Sequence, residues 1–191
     1  MKILSGVAAM GLMVGTAAYG RVMARLEVAR FRAQGGAAAL WDGQRIQAYE
    51  RSLRVGYAPP LAVLRVPGVG IEAPVLEGTS EAAMNRGVGH IAGSALPGES
   101  GNIAIAGHRD GFFRALKDVK VGEVVELERQ TGAGIESEQY KVERIAVVEP
   151  SDASVVAATN DATLTLVTCY PFYFVGPAPK RFVVQAKLIR E

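Results

Sequence analysis

From residue 60 onward, glycine and proline cut this chain into apolar runs too short for stable helices, and this punctuation constrains the fold more than any other feature. Leu61–Val66 and Ile71–Leu76 are separated by Pro67-Gly68 and Gly70. Asn102–Ala106 alternates and stops at Gly107, Glu123–Glu128 follows a glycine turn, and another strand lies between Tyr140 and Pro150. Thr163–Thr168 and Arg181–Leu188 complete the set. Many short strands at close spacing predict a sandwich or a barrel. At 191 residues, one domain with a sizeable core is expected. Pro59-Pro60 cannot continue a helix, so the linker boundary falls there.

The N-terminal part reads differently. No residue from Ile3 to Gly20 is charged, Lys2 precedes this stretch, and Arg21 and Arg25 follow it. A spanning helix needs about 20 apolar residues, so residues 1–20 are predicted to be a membrane anchor that meets lipid through residues 3–20. The competing reading is a signal peptide, because Ala18-Tyr19-Gly20 loosely resembles a cleavage site. The arginines after the span run against the rule that positive charge stays in the cytoplasm. Residues 21–59 form a predicted helical stalk or linker. Residues 21–34 have a helical composition, Gly35-Gly36 interrupts it, and a second helical stretch from about Ala37 to Leu53 carries Trp41 and suits a helix lying on a surface.

Charge and cysteine content exclude several function classes. The net charge is +2 with no basic cluster, which argues against nucleic acid as a partner. A single cysteine rules out an intramolecular disulfide and any metal site built from several thiolates. Glu77, Glu81 and Asp110 are scattered acids that predict no metal site, and whether calcium acts on the protein is not legible in them.

That cysteine, Cys169, ends the run Thr165-Leu-Val-Thr-Cys. In an extended strand it shares a face with Thr163, Thr165 and Val167, while Leu164 and Leu166 point to the core. This places the thiol on the more polar face at a strand end, where a nucleophile can be reached. In the last strand, Phe182, Val184, Ala186 and Leu188 form one face, with Arg181, Gln185 and Lys187 opposite. If the two strands pair, Arg181 and Cys169 become neighbours. A cysteine nucleophile needs an acid/base partner. Of the two histidines, His108 closes the Asn102–Ala106 strand and His90 lies in the glycine-rich segment 87–92, and on composition alone either could serve.

Three segments carry a family resemblance. Thr165-Leu-Val-Thr-Cys169 resembles the TLxTC signature of sortases. Cys169-Tyr-Pro-Phe-Tyr-Phe-Val-Gly-Pro-Ala-Pro-Lys-Arg181 looks like the stretch from nucleophile to arginine in class D sortases. Gly89–Gly98 and Gly101–Phe113, with Gly107-His-Arg-Asp110 inside, are similar to that class around its catalytic histidine, and Val66–Val75 to the family's opening strands. The resemblance implies a closed eight-stranded β-barrel with short helices over residues 60–191, a mainly β fold preceded by the membrane helix. It implies Cys169 as nucleophile, His108 as general acid/base and Arg181 as substrate and oxyanion ligand. Thr168 matches the signature threonine and joins Arg181 in substrate binding, and His90 matches a second histidine with no essential role. Gly111 departs from the pattern, standing where a larger residue is expected.

By resemblance, the chain is a cysteine transpeptidase anchored in the cytoplasmic membrane, with its barrel on the outer side. Its substrate would be a secreted protein carrying an LPxTG-like sorting signal near the C-terminus. The acyl group would pass through a Cys169 thioester to an amine, either a cell-wall (peptidoglycan) precursor or a pilin lysine. The chemistry calls for no cofactor. The alternatives are a non-enzymatic anchored scaffold that keeps the fold, an L,D-transpeptidase, or a metal site from Cys169 and the two histidines. The scaffold is disfavoured by the intact Cys169, His108 and Arg181. The L,D-transpeptidase lacks its SHGxC-like motif here, and the metal site lacks ligand-like spacing.

Overall fold

The inward residues of successive strands interlock into one core. Leu64 and Val66, Ala73 and Val75, Ile103 and Ile105, Val125 and Leu127, Leu164 and Leu166, and Val184 and Ala186 all recur two apart, as a wall with one buried face requires. The computed structural model describes residues 41–54, 56–174 and 176–190. Its strands are β1 (Ala62–Val66), β2 (Ile71–Glu77), β3 (Val88–His90), β4 (Asn102–Gly107), β5 (Val124–Thr131), β6 (Gly134–Val148), β7 (Thr163–Tyr170) and β8 (Lys180–Leu188). They close into an eight-stranded barrel in the order β1-β2-β3-β4-β7-β8-β6-β5, as the resemblance implied. Closure leaves no sheet edge unpaired. The β4–β7 and β2–β3 pairs are parallel and the others antiparallel.

Among the described residues, two α-helices accompany the barrel: α1 (Gly43–Leu53), capped by Asp42 accepting from the Arg45 amide at 2.8 Å, and α2 (Glu81–Arg86), capped by Ser80. The expected membrane anchor and the helical stretch 21–34 lie outside the described residues. Among the described residues, no helix is long and apolar enough to cross a membrane.

From Trp41 onward the expected stalk is part of the packed structure. Trp41 and Tyr49 are each 7 % exposed and join the core cluster. Both rings meet Phe112 edge-on, with centroids 5.0 and 6.0 Å away. The Arg86 side chain donates to the Ser52 carbonyl at the end of α1. Residues 56–60 are irregular, but packing extends upstream of them, because Tyr49 on α1 and Trp41 just before its cap both set their rings against Phe112. Burying each ring is worth about 1.5–3 kcal/mol. A chain starting at Gly56 should therefore unfold at clearly lower denaturant than one starting at Trp41. Equal urea midpoints for the two would show that α1 adds nothing.

Candidate active site

Strand parity decides which side chains meet. Thr168 continues the inward row of Leu164 and Leu166 and is 2 % exposed, its Oγ1 donating to the Gly107 carbonyl at 2.7 Å. Cys169 therefore faces outward, as a partly exposed free thiol. The antiparallel register of β7 and β8 sets Arg181 directly opposite Cys169. Such cross-strand partners share a face, with Cβ atoms about 5 Å apart. The parallel register of β4 and β7 pairs Gly107 with Thr168, so His108, the next residue, leaves β4 at the level of Cys169. Three adjacent strands thus bring His108, Cys169 and Arg181 to one end of the outer wall. Gly107 is needed at this corner, since a Cβ there would stand 2.7 Å from the Phe113 ring.

Two expectations about this face change. The first concerns its polarity. Thr163 and Thr165 share the face of Cys169 but are buried, Thr163 donating to the Asp161 carbonyl and Thr165 reaching the 3₁₀ turn Ala153–Val156 through Asn102. Thr165 donates to Asn102 Oδ1 at 2.7 Å, and Asn102 Nδ2 donates to the Val155 and Ala157 carbonyls. The polar residues here satisfy a buried network, and the wall opens only near Cys169. The second concerns Thr168, whose hydroxyl turns inward and donates to the Gly107 carbonyl.

His108 is mostly shielded, with 18 % of its side chain exposed. Its Nε2 makes no hydrogen bond and lies 3.5 Å from a Glu81 carboxylate oxygen, too far for a good one. Burial holds the imidazole below its ordinary value of 6.5, and the Arg45 guanidinium adds to the effect, while Glu81 and Asp110 oppose it. Glu77, Glu81 and Asp110, scattered in the sequence, thus face His90, His108 and Arg45 in turn. Among the described residues, no three His, Cys, Asp or Glu side chains are grouped as a metal site.

His90 belongs to β3 rather than to a loop, and it is 2 % exposed. Its Nε2 lies 3.0 Å from the Ala95 carbonyl, which can only accept, so Nε2 carries the proton. Its Nδ1 is 3.4 Å from Glu77. These contacts pack the ring into the wall. His90→Ala should lower unfolding stability by about 1–3 kcal/mol, the usual result of stranding buried partners, and leave turnover per folded molecule near parental. Denaturant titration and active-site counting check the two halves separately.

Sequence reasoning missed the residues that hold the segment between Cys169 and Arg181. That loop contains Pro171, Pro177 and Pro179, so it is short of N–H groups to satisfy its own carbonyls. Arg109 donates to the carbonyls of Pro171, Phe174 and Gly176 at 3.1, 2.7 and 3.0 Å. Arg114 donates to the Phe172 carbonyl and lies over the Tyr173 ring, 4.2 Å from its centroid. The proline count was the available signal, because such a loop needs donors from elsewhere. Arg181 itself donates to the Lys180 and Ala178 carbonyls at 3.0 and 3.3 Å, which orients its fork.

Known proteins resemble this chain in sequence and in fold. The sortase domain family model matches residues 64–189. Sortase D of Bacillus subtilis (strain 168) is 34 % identical over 128 residues, covering 66 % of this chain and 63 % of that protein. A Sortase D5 transpeptidase of Clostridium perfringens is 28 % identical with a TM-score of 0.62, over 75 % of this chain and 88 % of that one. A lid mutant of sortase A from Corynebacterium diphtheriae is also 28 % identical, with a TM-score of 0.63 over 78 % and 81 % of the two chains.

Proposed function

Because this chain belongs to the sortase family, we propose that it is a cysteine transpeptidase that cuts an LPxTG-like sorting signal and passes the acyl group to an amine. The observation that carries this reading is the strand register, which sets Arg181 opposite Cys169 and lets His108 leave β4 at the same level.

In the first half-reaction the Cys169 thiolate attacks the scissile carbonyl. A carbon–sulfur bond forms and the carbonyl oxygen takes up negative charge. Arg181 meets that charge with a guanidinium that stays protonated and whose orientation is fixed by the Ala178 and Lys180 carbonyls. The carbon–nitrogen bond then breaks, and protonated His108 gives its proton to the leaving amine. A thioester and a neutral imidazole remain. In the second half-reaction an amine attacks the thioester, loses its proton to His108 and expels the thiolate, which restores the starting state. Burial makes His108 a poor holder of that proton and hence a ready donor, while Glu81, 3.5 Å from Nε2, eases its return. Thr168 serves by pinning β7 to β4 beneath the reacting pair. The reaction needs no cofactor.

The acceptor is proposed to be a peptidoglycan precursor or a pilin lysine, and the substrate a secreted protein. Residues 3–20 would anchor the chain in the cytoplasmic membrane with the barrel outside. Protease added to intact spheroplasts should then digest the barrel, and protection would overturn that topology. For the activity, purified enzyme mixed with an LPxTG peptide and a small amine should give a peptide–amine adduct by mass spectrometry. Failure to cut any sorting-signal peptide, with the fold intact, would overturn the substrate class.

A further inference from the structure

The helix α1 reaches the site through one side chain. Arg45 Nη2 donates to both carboxylate oxygens of Asp110 at 2.9 and 3.2 Å, and its Nη1 donates to Asn85 Oδ1 on α2. The Arg45 side chain is 14 % exposed, better shielded than an ordinary surface pair. Asp110 sits two residues after His108, in a turn closed by the Gly111 amide donating to the His108 carbonyl at 3.1 Å. Asn85 lies on the helix whose Glu81 faces the imidazole. A single guanidinium therefore joins the turn that bears His108 to the helix that bears its carboxylate neighbour. A Cβ at Gly111 would stand 3.4 Å from His108 Cβ and 3.7 Å from Arg45 Cδ, ordinary contact distances that show how near the Arg45 stem lies to the turn bearing His108.

We propose that Arg45, from the helix that precedes the barrel, is a positioning residue for His108. It fixes the turn carrying the imidazole and biases that imidazole toward its neutral form, so that docking of the upstream helix and the acid/base step are linked. The charged groups that act on His108 are Arg45 from α1, Glu81 from α2 and Asp110 from its own turn, and the strand register sets Cys169 and Arg181 at its level on β7 and β8. Arg45 is a cation set against the protonated imidazole, while Glu81 and Asp110 favour it. Removing the Arg45 charge therefore raises the proton affinity of His108. Swinging α1 away from the barrel would do the same, which ties the state of the upstream segment to the readiness of the site.

The inference rests on His108 being the acid/base, and the test separates the two claims. The full-length chain in detergent, labelled at histidine, gives only two imidazole signals, because it contains only His90 and His108. In Arg45→Met, the His108 titration midpoint should rise by about half a pH unit or more, the scale of one partly screened charge, while the His90 signal stays. Arg45→Gln keeps amide donors for Asn85 and Asp110, so it tests the same shift if the Met variant fails to fold. An unchanged His108 midpoint in a folded variant would reduce Arg45 to a helix staple and overturn the inference. A limb of the kcat/KM–pH profile should move with the midpoint. A midpoint that moves while both limbs stay would leave Arg45 as a tuner of His108 but sink His108 as the proton carrier.

Discussion

Cys169→Ala should abolish acyl-enzyme formation and reduce transpeptidation to background while leaving the barrel folded. A nucleophile and its base act as a unit, and losing the nucleophile from such a unit costs on the order of 10⁶-fold in turnover. No other thiol can substitute, because the chain has one cysteine. The fold should not notice the change. Cys169 is at the penultimate position of β7, on its outward face, and is only partly buried, while the inward neighbours Leu166 and Thr168 keep their contacts. Substitutions at such positions usually shift stability by less than about 0.5 kcal/mol. Intact-mass spectrometry after incubation with a sorting-signal peptide reads the first part, and thermal unfolding reads the second. An adduct surviving in the variant would remove Cys169 from the role of nucleophile.

The strands were legible because a barrel wall with one buried face imposes a period of two, and Ile103/Ile105, Leu164/Leu166 and Val184/Ala186 carry it openly. The same parity placed Cys169 and Arg181 outward, and the register of β7 and β8 makes them partners. What stayed hidden has a common physical cause: it depends on contacts between distant segments. β3 has three residues, too few for any period to show, so His90 read as a loop residue although it is buried in the wall. Thr165 read as part of the more polar face because its partner Asn102, and the turn Ala153–Val156 that Asn102 bonds, are outside β7. Trp41 and Tyr49 read as parts of a surface helix, since their partner Phe112 comes far later in the chain. Arg45 shows no local signal at all, because its partners Asn85 and Asp110 are on other elements.

His108→Ala should lower kcat/KM by about 10²–10⁴-fold, the usual worth of general acid/base help, and Arg181→Lys should lower it by an order of magnitude or more. For His108 the loss falls on both half-reactions, since the same nitrogen must give a proton to one amine and take it from the next. The folded structure should tolerate the change, because His108 Nε2 makes no hydrogen bond that alanine would break. This distinguishes it from His90, whose ring is enclosed and hydrogen-bonded, so that its loss acts on stability. For Arg181 the reason is geometric. Nη1 is held by the Ala178 and Lys180 carbonyls, which fixes the plane of the fork beside Cys169. A lysine ammonium is one compact charge on a flexible stem, able to follow either those carbonyls or the developing oxyanion, but without a rigid plane linking them. The loss should therefore appear in kcat, where the oxyanion forms, more than in KM. Steady-state transpeptidation by the purified variants, after circular dichroism confirms folding, gives both numbers. If Arg181→Lys kept near-parental kcat, oxyanion stabilisation would have to pass to backbone N–H groups near Cys169, and if His90→Ala matched His108→Ala per folded molecule, the proton carrier would have to be reassigned.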